Sequence, residues 1–223
     1  MSKTLFITGA STGIGEATAR AAVDAGWNVG LFARSEDKLK ALADDLGDNA
    51  KALPGDATDF KSQEDALGAL ADTFGSVDAA FANAGTGLSA AGTEKGDPEE
   101  WEMMVKLNIL GLLWTTKAAM PHLKSSNGHL LMTGSAAGRR HIAGSVYGAS
   151  KWFVHGYGGN IADEMREWGG RCTVIAPGMV DTPFFDEAKP DKLKPEDVAR
   201  SAIFALEADP RAAIQEVFLM PTK

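Results

Sequence analysis

The sequence predicts an α/β fold: one doubly wound domain with a seven-stranded parallel sheet and helices on both faces. Three observations predict it. Short apolar runs alternate with longer amphipathic ones along all 223 residues. No hairpin turn joins two successive strand patterns, so each strand must reach the next through a helical crossover. The first apolar run leads straight into a glycine-rich turn that opens a helix.

Each element follows from its own pattern. Lys3–Thr8 is apolar and β-favouring and ends at glycine, which reads as a buried strand. Gly13–Gly26 is an alanine-rich helix, and Trp27–Ala33 a second strand. Ser35–Leu46 is a second helix with Ser35 as N-cap. Ala50–Gly55 is a short third strand, and Asp59–Phe74 a third helix opened by a capping residue. Val77–Ala82 is a fourth strand. Asp97–His122 is a long helix, with Asp97 as N-cap and Pro98 in the first turn, where its missing N–H costs nothing. Gly128–Thr133 is a fifth strand, Ser145–Trp168 a second long helix, and Arg171–Ala176 a sixth strand. Pro195–Glu207 and Ala213–Met220 are the last helix and strand. Right-handed crossovers are expected throughout. The long helix from Asp97 carries Trp101, Met103, Met104, Leu107, Leu112, Leu113 and Trp114. Most belong to the core, since a helix on a sheet needs a wide apolar stripe. The surplus is available for a subunit interface.

Composition narrows the function. Hydrophobic residues make up 44% and charged residues 23%, ordinary for a globular protein. The net charge of −8 argues against nucleic acid or an anionic membrane as the main partner. The single cysteine, Cys172, allows no intrachain disulfide and sits in an apolar run, which reads as a buried thiol in a reducing compartment. The N-terminal apolar run is too short for a signal peptide, and no stretch is long enough to span a bilayer. The cytoplasm is the expected location. His122, His129, His141 and His155 show no metal-ligand spacing, so no metal is expected.

The chemistry begins at Thr8-Gly9-Ala10-Ser11-Thr12-Gly13-Ile14-Gly15. Glycines between a strand and a helix let backbone approach a pyrophosphate, while the helix N–H groups point at it. The spacing here is Gly-x-x-x-Gly-x-Gly. Further on stand Asn83-Ala84-Gly85, Asn108, Ser135, Tyr147-x-x-x-Lys151 and Pro177-Gly178-Met179-Val180-Asp181-Thr182. In this order and at these separations, the set resembles the short-chain dehydrogenase/reductase family over nearly the whole chain. The resemblance implies a Rossmann-like fold, a nicotinamide cofactor, an oxidoreductase acting on an alcohol or carbonyl carbon, and a homodimer or homotetramer. It places a cofactor half at about residues 1–130 and a catalytic and substrate half at about 131–223.

Tyr147 and Lys151 are four positions apart and share one helix face. Free tyrosine titrates near ~10, and a nearby ammonium favours the phenolate. The pair suits general acid/base work on an oxygen. By resemblance, Tyr147 is the proton donor or acceptor, and Lys151 holds the nicotinamide ribose and tunes Tyr147. Ser135 binds the substrate oxygen, and Asn108 kinks its helix and holds a water leading to the lysine. Ser145 is read as the cap of the next helix rather than as the catalytic serine. Gly134, Ala136, Ala137 and Gly138 are small, which leaves room for a ligand above the strand end.

The resemblance also assigns the cofactor contacts. Gly9, Ser11, Thr12, Gly13, Ile14 and Gly15 form the phosphate turn. At the end of the second strand, Ala33 stands where an acid would select NAD, and Arg34 follows. A guanidinium there fits a 2′-phosphate, so NADP(H) is expected over NAD(H). Asp56, with Ala57, either contacts adenine or merely caps a helix. Asn83, Ala84 and Gly85 line the adenosine side. Pro177, Gly178, Val180 and Thr182 lie against the nicotinamide, beside Tyr147 and Lys151.

Leu88, Ile142, Met179, Phe184 and Phe185 are candidates for an apolar substrate wall, the last two in a lid before the final helix. Arg139, Arg140 and His141 either attract a carboxylate or form a solvated basic turn. The C-terminal Glu216–Thr222 resembles the family branch of hydroxy-acid, serine and other small-molecule alcohol dehydrogenases. The expected activity is hydride transfer between NADP(H) and a small carbonyl or secondary alcohol. The competing readings are a 3-oxoacyl-thioester (acyl carrier protein) reductase and a non-catalytic NADP(H)-sensing protein.

Overall fold

The computed structural model of the chain describes residues 2–90 and 92–222. Its strands are β1 (Thr4–Thr8), β2 (Asn28–Ala33), β3 (Ala50–Pro54), β4 (Ala79–Ala82), β5 (His129–Thr133), β6 (Arg171–Pro177) and β7 (Glu216–Leu219). Its helices are α1 (Gly13–Asp24), α2 (Glu36–Leu46), α3 (Phe60–Phe74), α4 (Pro98–Met104), α5 (Leu112–Ser126), α6 (Val146–Arg166) and α7 (Pro195–Leu206). The strands form one seven-stranded sheet in the order β3-β2-β1-β4-β5-β6-β7, and every neighbouring pair is parallel. This is the doubly wound, Rossmann-like arrangement that the alternation predicts. The strand order reverses between β1 and β4, the place where ligands bind in such sheets.

Both sheet faces are covered, so β1 is buried along its whole length. Alternation sends Phe6 to one face and Leu5 and Ile7 to the other. Phe6 packs with Phe32, Leu67, Leu70, Leu123, Leu130 and Val154, a core closed by α3, α5 and α6. Leu5 and Ile7 pack with Leu31, Leu39, Phe81, Leu131, Ile175, Val198 and Leu206 beneath α1, α2 and α7.

Three differences from the sequence expectation have local causes. The long helix from Asp97 is interrupted. Between α4 and α5 lies a π-helical segment, Val105–Gly111, and the helix then runs on to Ser126. A Cβ at Gly111 would stand 2.9 Å from the Ala57 carbonyl oxygen, so this turn presses directly on the loop after β3. Ser35 occupies the N-cap of α2 but makes no capping bond, whereas Asp59, Asp97 and Ser145 cap their helices as expected. Strands β4 and β7 are shorter than their apolar runs. The approach to β4 is held by the Asp78 backbone N–H on the Thr4 carbonyl at 2.9 Å and by the Asp78 carboxylate, which accepts from the Thr4 N–H at 2.8 Å.

The centre of the sheet carries a testable load. Phe81 is fully buried in β4, between β1 and β5. Phe81→Ala is expected to lower stability by about 3–5 kcal/mol, read from urea unfolding. A loss under about 1 kcal/mol would mean the two helical layers collapse onto the space.

Candidate active site

The glycine turn is built by close approach. Gly9 has φ +69°, and a Cβ there would sit 3.0 Å from the Ala84 Cα. A Cβ on Gly15 would meet the Gly9 carbonyl oxygen at 2.2 Å. Gly13 has φ +59° and faces the Thr182 methyl at 3.3 Å, so the phosphate turn touches the loop after β6. Thr12 is extended and makes no side-chain capping bond to α1. The first-turn N–H groups of α1 therefore lack the partners that Asp59, Asp97 and Ser145 give other helices, which suits an anionic ligand. Ser11 and Ile14 are half-buried in the same turn.

The Asn83 side chain is spent on the fold. It donates to the Thr8 carbonyl at 3.0 Å and accepts from the Thr133 hydroxyl at 3.0 Å, joining the ends of β1, β4 and β5. The Thr8 hydroxyl accepts from the backbone N–H of Asn83 at 3.0 Å and of Ala84 at 3.1 Å. Gly85 borders the cleft: a Cβ there would lie 3.3 Å from Asn108 Oδ1 and 3.8 Å from Lys151 Nζ.

Arg34 is exposed at the end of β2. Asp56 does not cap α3, because Asp59 does. Its carboxylate accepts instead from the Thr58 N–H at 2.8 Å and hydroxyl at 2.9 Å. Burial pushes its pKa up, but the Thr58 bonds and the nearby charges of Arg34 and Lys106 outweigh that and hold it below the ordinary value. Ala57 is buried beside it.

Tyr147 and Lys151 lie on α6, whose N-terminus Ser145 caps by accepting from the Gly148 N–H at 2.9 Å. The Lys151 Nζ donates to the Thr133 carbonyl at 2.8 Å and lies 5.7 Å from the centre of the Tyr147 ring. Burial lowers the Lys151 pKa from the ordinary 10.5 to about 8. Burial raises that of Tyr147, and a side-chain hydrogen bond with Ser135 draws it partly back. The net shift of the tyrosine is therefore upward, against the lowering expected from a neighbouring ammonium alone. Both groups are desolvated, and desolvation favours the neutral form of each.

Asn108 sits inside the π-helical segment and is 2% exposed. Its Oδ1 accepts from the Thr86 N–H at 2.8 Å, and its Nδ2 donates to the Thr86 carbonyl at 3.0 Å and the Ser150 hydroxyl at 3.3 Å. Ser150 in turn donates to the Tyr147 carbonyl at 2.8 Å. Asn108 therefore ties the loop after β4 to α6 between Tyr147 and Lys151.

Ser135 is half-buried just past β5, and its hydroxyl accepts from the Ala137 N–H at 3.1 Å. The space beside the two glycines around it is taken by protein side chains and by α6. A Cβ on Gly134 would meet Val174 at 2.6 Å and His155 Nε2 at 3.0 Å, and one on Gly138 would meet His155 at 2.5 Å. They are small because α6 presses on the turn.

On the substrate side, the Phe184 ring lies 5.7 Å from that of Tyr147 and 5.2 Å from that of Phe185, and reaches within 3.0 Å of a Cβ built on Gly87. Leu88 is half-buried, while Ile142 and Met179 are exposed on flanking turns. Arg139 does not face a ligand: its Nε donates to Glu216 on β7 at 2.9 Å. The Arg140 carbonyl accepts from Trp152 at 3.4 Å, and His141 stacks on the Trp152 ring. Pro177 ends β6, the Gly178 N–H bonds to Leu219 at 2.8 Å, and Val180 pairs with Leu193. Asp181 closes the base of the lid on Lys194 at 2.7 Å and on the Lys189 N–H at 2.7 Å.

Sequence reasoning missed three parts of this site. The Thr133 carbonyl is backbone and leaves no side-chain signal. Ser150 falls between the two motif residues. His155 follows Lys151 by one turn on the same face, a spacing that was available to be read.

The family described as short chain dehydrogenase matches residues 3–193. The chain belongs to that family. An uncharacterized oxidoreductase of Staphylococcus epidermidis is 34% identical over 226 residues, covering 98% of this chain and 97% of the relative. An alcohol dehydrogenase from the archaeon Thermococcus sibiricus, complexed with 5-hydroxy-NADP, superposes with a TM-score of 0.91 at 30% identity, covering 100% of this chain and 97% of that one. Serine dehydrogenase from Escherichia coli gives 0.90 at 31% identity, covering 98% and 97%. The chain is accordingly an NAD(P)-dependent oxidoreductase of the short-chain dehydrogenase family. Among the described residues no helix is long and apolar enough to cross a membrane.

The buried lysine gives a pH dependence. Its folded pKa lies below its unfolded one, so the unfolded chain binds the extra proton between about 8 and 10.5 and stability from this group rises with pH across that window. Subtracting the unfolding free energy of Lys151→Met from that of the wild type isolates the effect. The difference should grow in favour of the wild type from pH 8 to 10, and a flat difference would show that Lys151 keeps an ordinary pKa.

Proposed function

We propose that this chain transfers a hydride between NADP(H) and a small carbonyl or secondary alcohol, with Tyr147 as general acid/base. The observation that carries the reading is the convergence of Tyr147, Ser135 and buried Lys151 beside the glycine turn, at the carboxyl ends of the central strands.

The residues present fit the cofactor. The positive φ of Gly9 and Gly13, with the uncapped start of α1, makes a cradle for a pyrophosphate. Exposed Arg34, with no carboxylate at Ala33, fits a 2′-phosphate and supports NADP(H) over NAD(H). Ser11, Thr12, Ile14, Gly15, Asp56, Ala57, Ala84 and Gly85 would line the adenosine and phosphate side. Pro177, Gly178, Val180 and Thr182 would line the nicotinamide side. The Thermococcus relative complexed with 5-hydroxy-NADP supports this choice.

The nicotinamide, when bound, supplies or accepts the hydride. The chain's part is placement and proton transfer. Ser135 and Tyr147 hold the substrate oxygen between their hydroxyls. Tyr147, like a free tyrosine, is protonated near neutral pH, the form that donates to a carbonyl oxygen during reduction, and burial shifts its pKa further up. Lys151 holds the nicotinamide ribose and stabilises charge on Tyr147 as the proton leaves. Asn108 holds α6 and the loop after β4 in register. Phe184 and Phe185, with Leu88, Ile142 and Met179 around them, give an apolar wall suited to a small substrate. The buried Cys172 thiol fits work in the cytoplasm. Met103, Val105 and Leu110, exposed along α4 and the π-helical segment, fit a homo-oligomer.

Two substitutions test the reading, with NADPH oxidation followed by absorbance against aldehydes, ketones, 3-oxo acids and 3-oxoacyl thioesters. Tyr147→Phe is expected to cut turnover at least about a hundredfold while NADPH binding by calorimetry stays intact. Lost NADPH binding in that variant would contradict the assigned role. A bond to a charged group contributes about 1.5–3 kcal/mol, so Arg34→Asp should reduce the preference for NADPH over NADH about ten- to a hundredfold. Unchanged relative affinities would remove Arg34 from cofactor selection.

A further inference from the structure

We propose that His155 is a positioning residue for Ser135: its Nε2–H holds the Ser135 carbonyl and so fixes where the serine hydroxyl points. The inference rests on the role given to Ser135 above.

The geometry is specific. The His155 side chain is 10% exposed, with Nδ1 3.6 Å from Glu216 Oε1. Its Nε2 lies 3.1 Å from the Ser135 carbonyl oxygen and 3.5 Å from the Ser135 N–H. These two contacts exclude each other. A carbonyl oxygen can only accept and an N–H can only donate, so Nε2 serves one or the other. The shorter contact requires the proton on Nε2. The neutral ring then has no proton on Nδ1, and Glu216 Oε1, 3.6 Å away, is held by the Arg139 guanidinium at the far end of the Ser135 turn. Gly134 and Gly138 flank the serine, and a Cβ at either would collide with this ring.

Position matters here because Ser135 stands beyond the β5 ladder, where no strand partner holds its carbonyl. The same carbonyl accepts from the Gly138 N–H at 2.9 Å, which closes the short turn on itself. His155 is the tie that fastens this turn to α6. Tyr147, Lys151 and His155 recur every four residues on that helix. One rigid element thus presents the acid, its neighbouring cation and the anchor of the serine, so α6 bears directly on the separation of the Ser135 and Tyr147 hydroxyls. The charged groups facing the ring are Arg139 from the turn after β5, Glu216 from β7 and Lys151 from α6 itself. Burial, with the two cations, lowers the pKa of the ring against the Ser135 bond, which favours the neutral, singly protonated form that this contact needs.

The test compares His155→Leu with His155→Gln, whose Nε2 can still donate to the Ser135 carbonyl. Misplacement of a reacting group by about 1 Å costs up to roughly a hundredfold, so His155→Leu should lower kcat about ten- to a hundredfold. The Kd for NADPH and the melting temperature of the NADPH complex should change little by comparison, and His155→Gln should recover most of kcat. Wild-type kcat in His155→Leu, or equal impairment of both variants, overturns the proposal. If His155→Leu does not fold, His155→Met takes its place, with a reduced kcat at unchanged NADPH Kd expected and an unchanged kcat overturning it. A second readout needs no turnover: imidazole ¹⁵N shifts of the wild-type chain should show His155 protonated at Nε2, and the Nδ1–H tautomer overturns the anchor. A wild-type chain that binds NADPH and reduces nothing, yet shows the Nε2–H tautomer, removes the proposed reaction and leaves the anchor of Ser135 standing.

Discussion

The burial of Lys151 is the constraint around which the site is arranged. An ammonium withdrawn from water is costly unless it is paired, and here its recorded hydrogen bond is to the Thr133 carbonyl at the end of β5. Several otherwise separate features serve that placement. Gly138 lets α6 approach, since a Cβ there would strike the Lys151 carbonyl at 2.7 Å. Gly85 leaves space above the Nζ, and the Tyr147 ring lies beside it. The π-helical segment presents Asn108 between the loop after β4 and Ser150, the residue that precedes the lysine. Such segments frequently mark functional sites, because the inserted residue re-aims a side chain that a regular helix would turn elsewhere.

The same logic of close approach joins the two halves of the chain. The glycine turn belongs to β1 and α1, yet Gly9 packs on Ala84 and Gly13 on Thr182. Asn83 fastens β1 to β5 through Thr8 and Thr133. Thr133 therefore serves both sides, its hydroxyl holding the Asn83 clasp and its carbonyl holding Lys151. A change at the strand ends would be felt at the phosphate turn and at the lysine together. The chain as a whole carries −8, but Arg34, Lys106, Lys151 and the free N–H groups of α1 concentrate positive potential along this edge. An acidic protein can hold an anionic cofactor because binding is decided by the local field.

Much of the fold was legible because its signals are local. Buried parallel strands read as apolar runs, and Asp59, Asp97 and Ser145 mark helix starts by a chemistry that acts within three residues. The parts that escaped depend on contacts distant in sequence. Nothing near Val105 announces a π-helical segment, whose residues Gly111 and Asn108 meet Ala57 and Thr86, far away in sequence. Gly134 and Gly138 have the composition of a ligand cleft, and only the position of His155 shows what fills the space. Arg139 has the look of a free cation until β7 brings Glu216 alongside. The order of the motifs placed Tyr147, Lys151 and Ser135 together, but not the balance of forces on their protons.

That balance bears on direction. Desolvation drives the tyrosine pKa up and the lysine pKa down, so one environment pushes both groups toward neutrality. At pH 7 a lysine titrating near 8 is still mostly charged, while the tyrosine holds its proton. The pair then stands as a proton donor beside a cation, the state that a carbonyl needs on accepting a hydride. On the proposed role of Tyr147, a phenolate formed there would be stabilised by the lysine charge across a water-poor gap, where Coulomb attraction is strong. Above about pH 8 the cation is lost, and the phenolate loses its partner at the moment alkalinity would otherwise favour it. A water-exposed pair would hold the same protons at pH 7 but would keep its cation to about 10.4, because each group would titrate near its free value. Burial thus does more than hold the pair in place: on the proposed role of Tyr147, it confines the cation that would stabilise a phenolate to pH values below about 8.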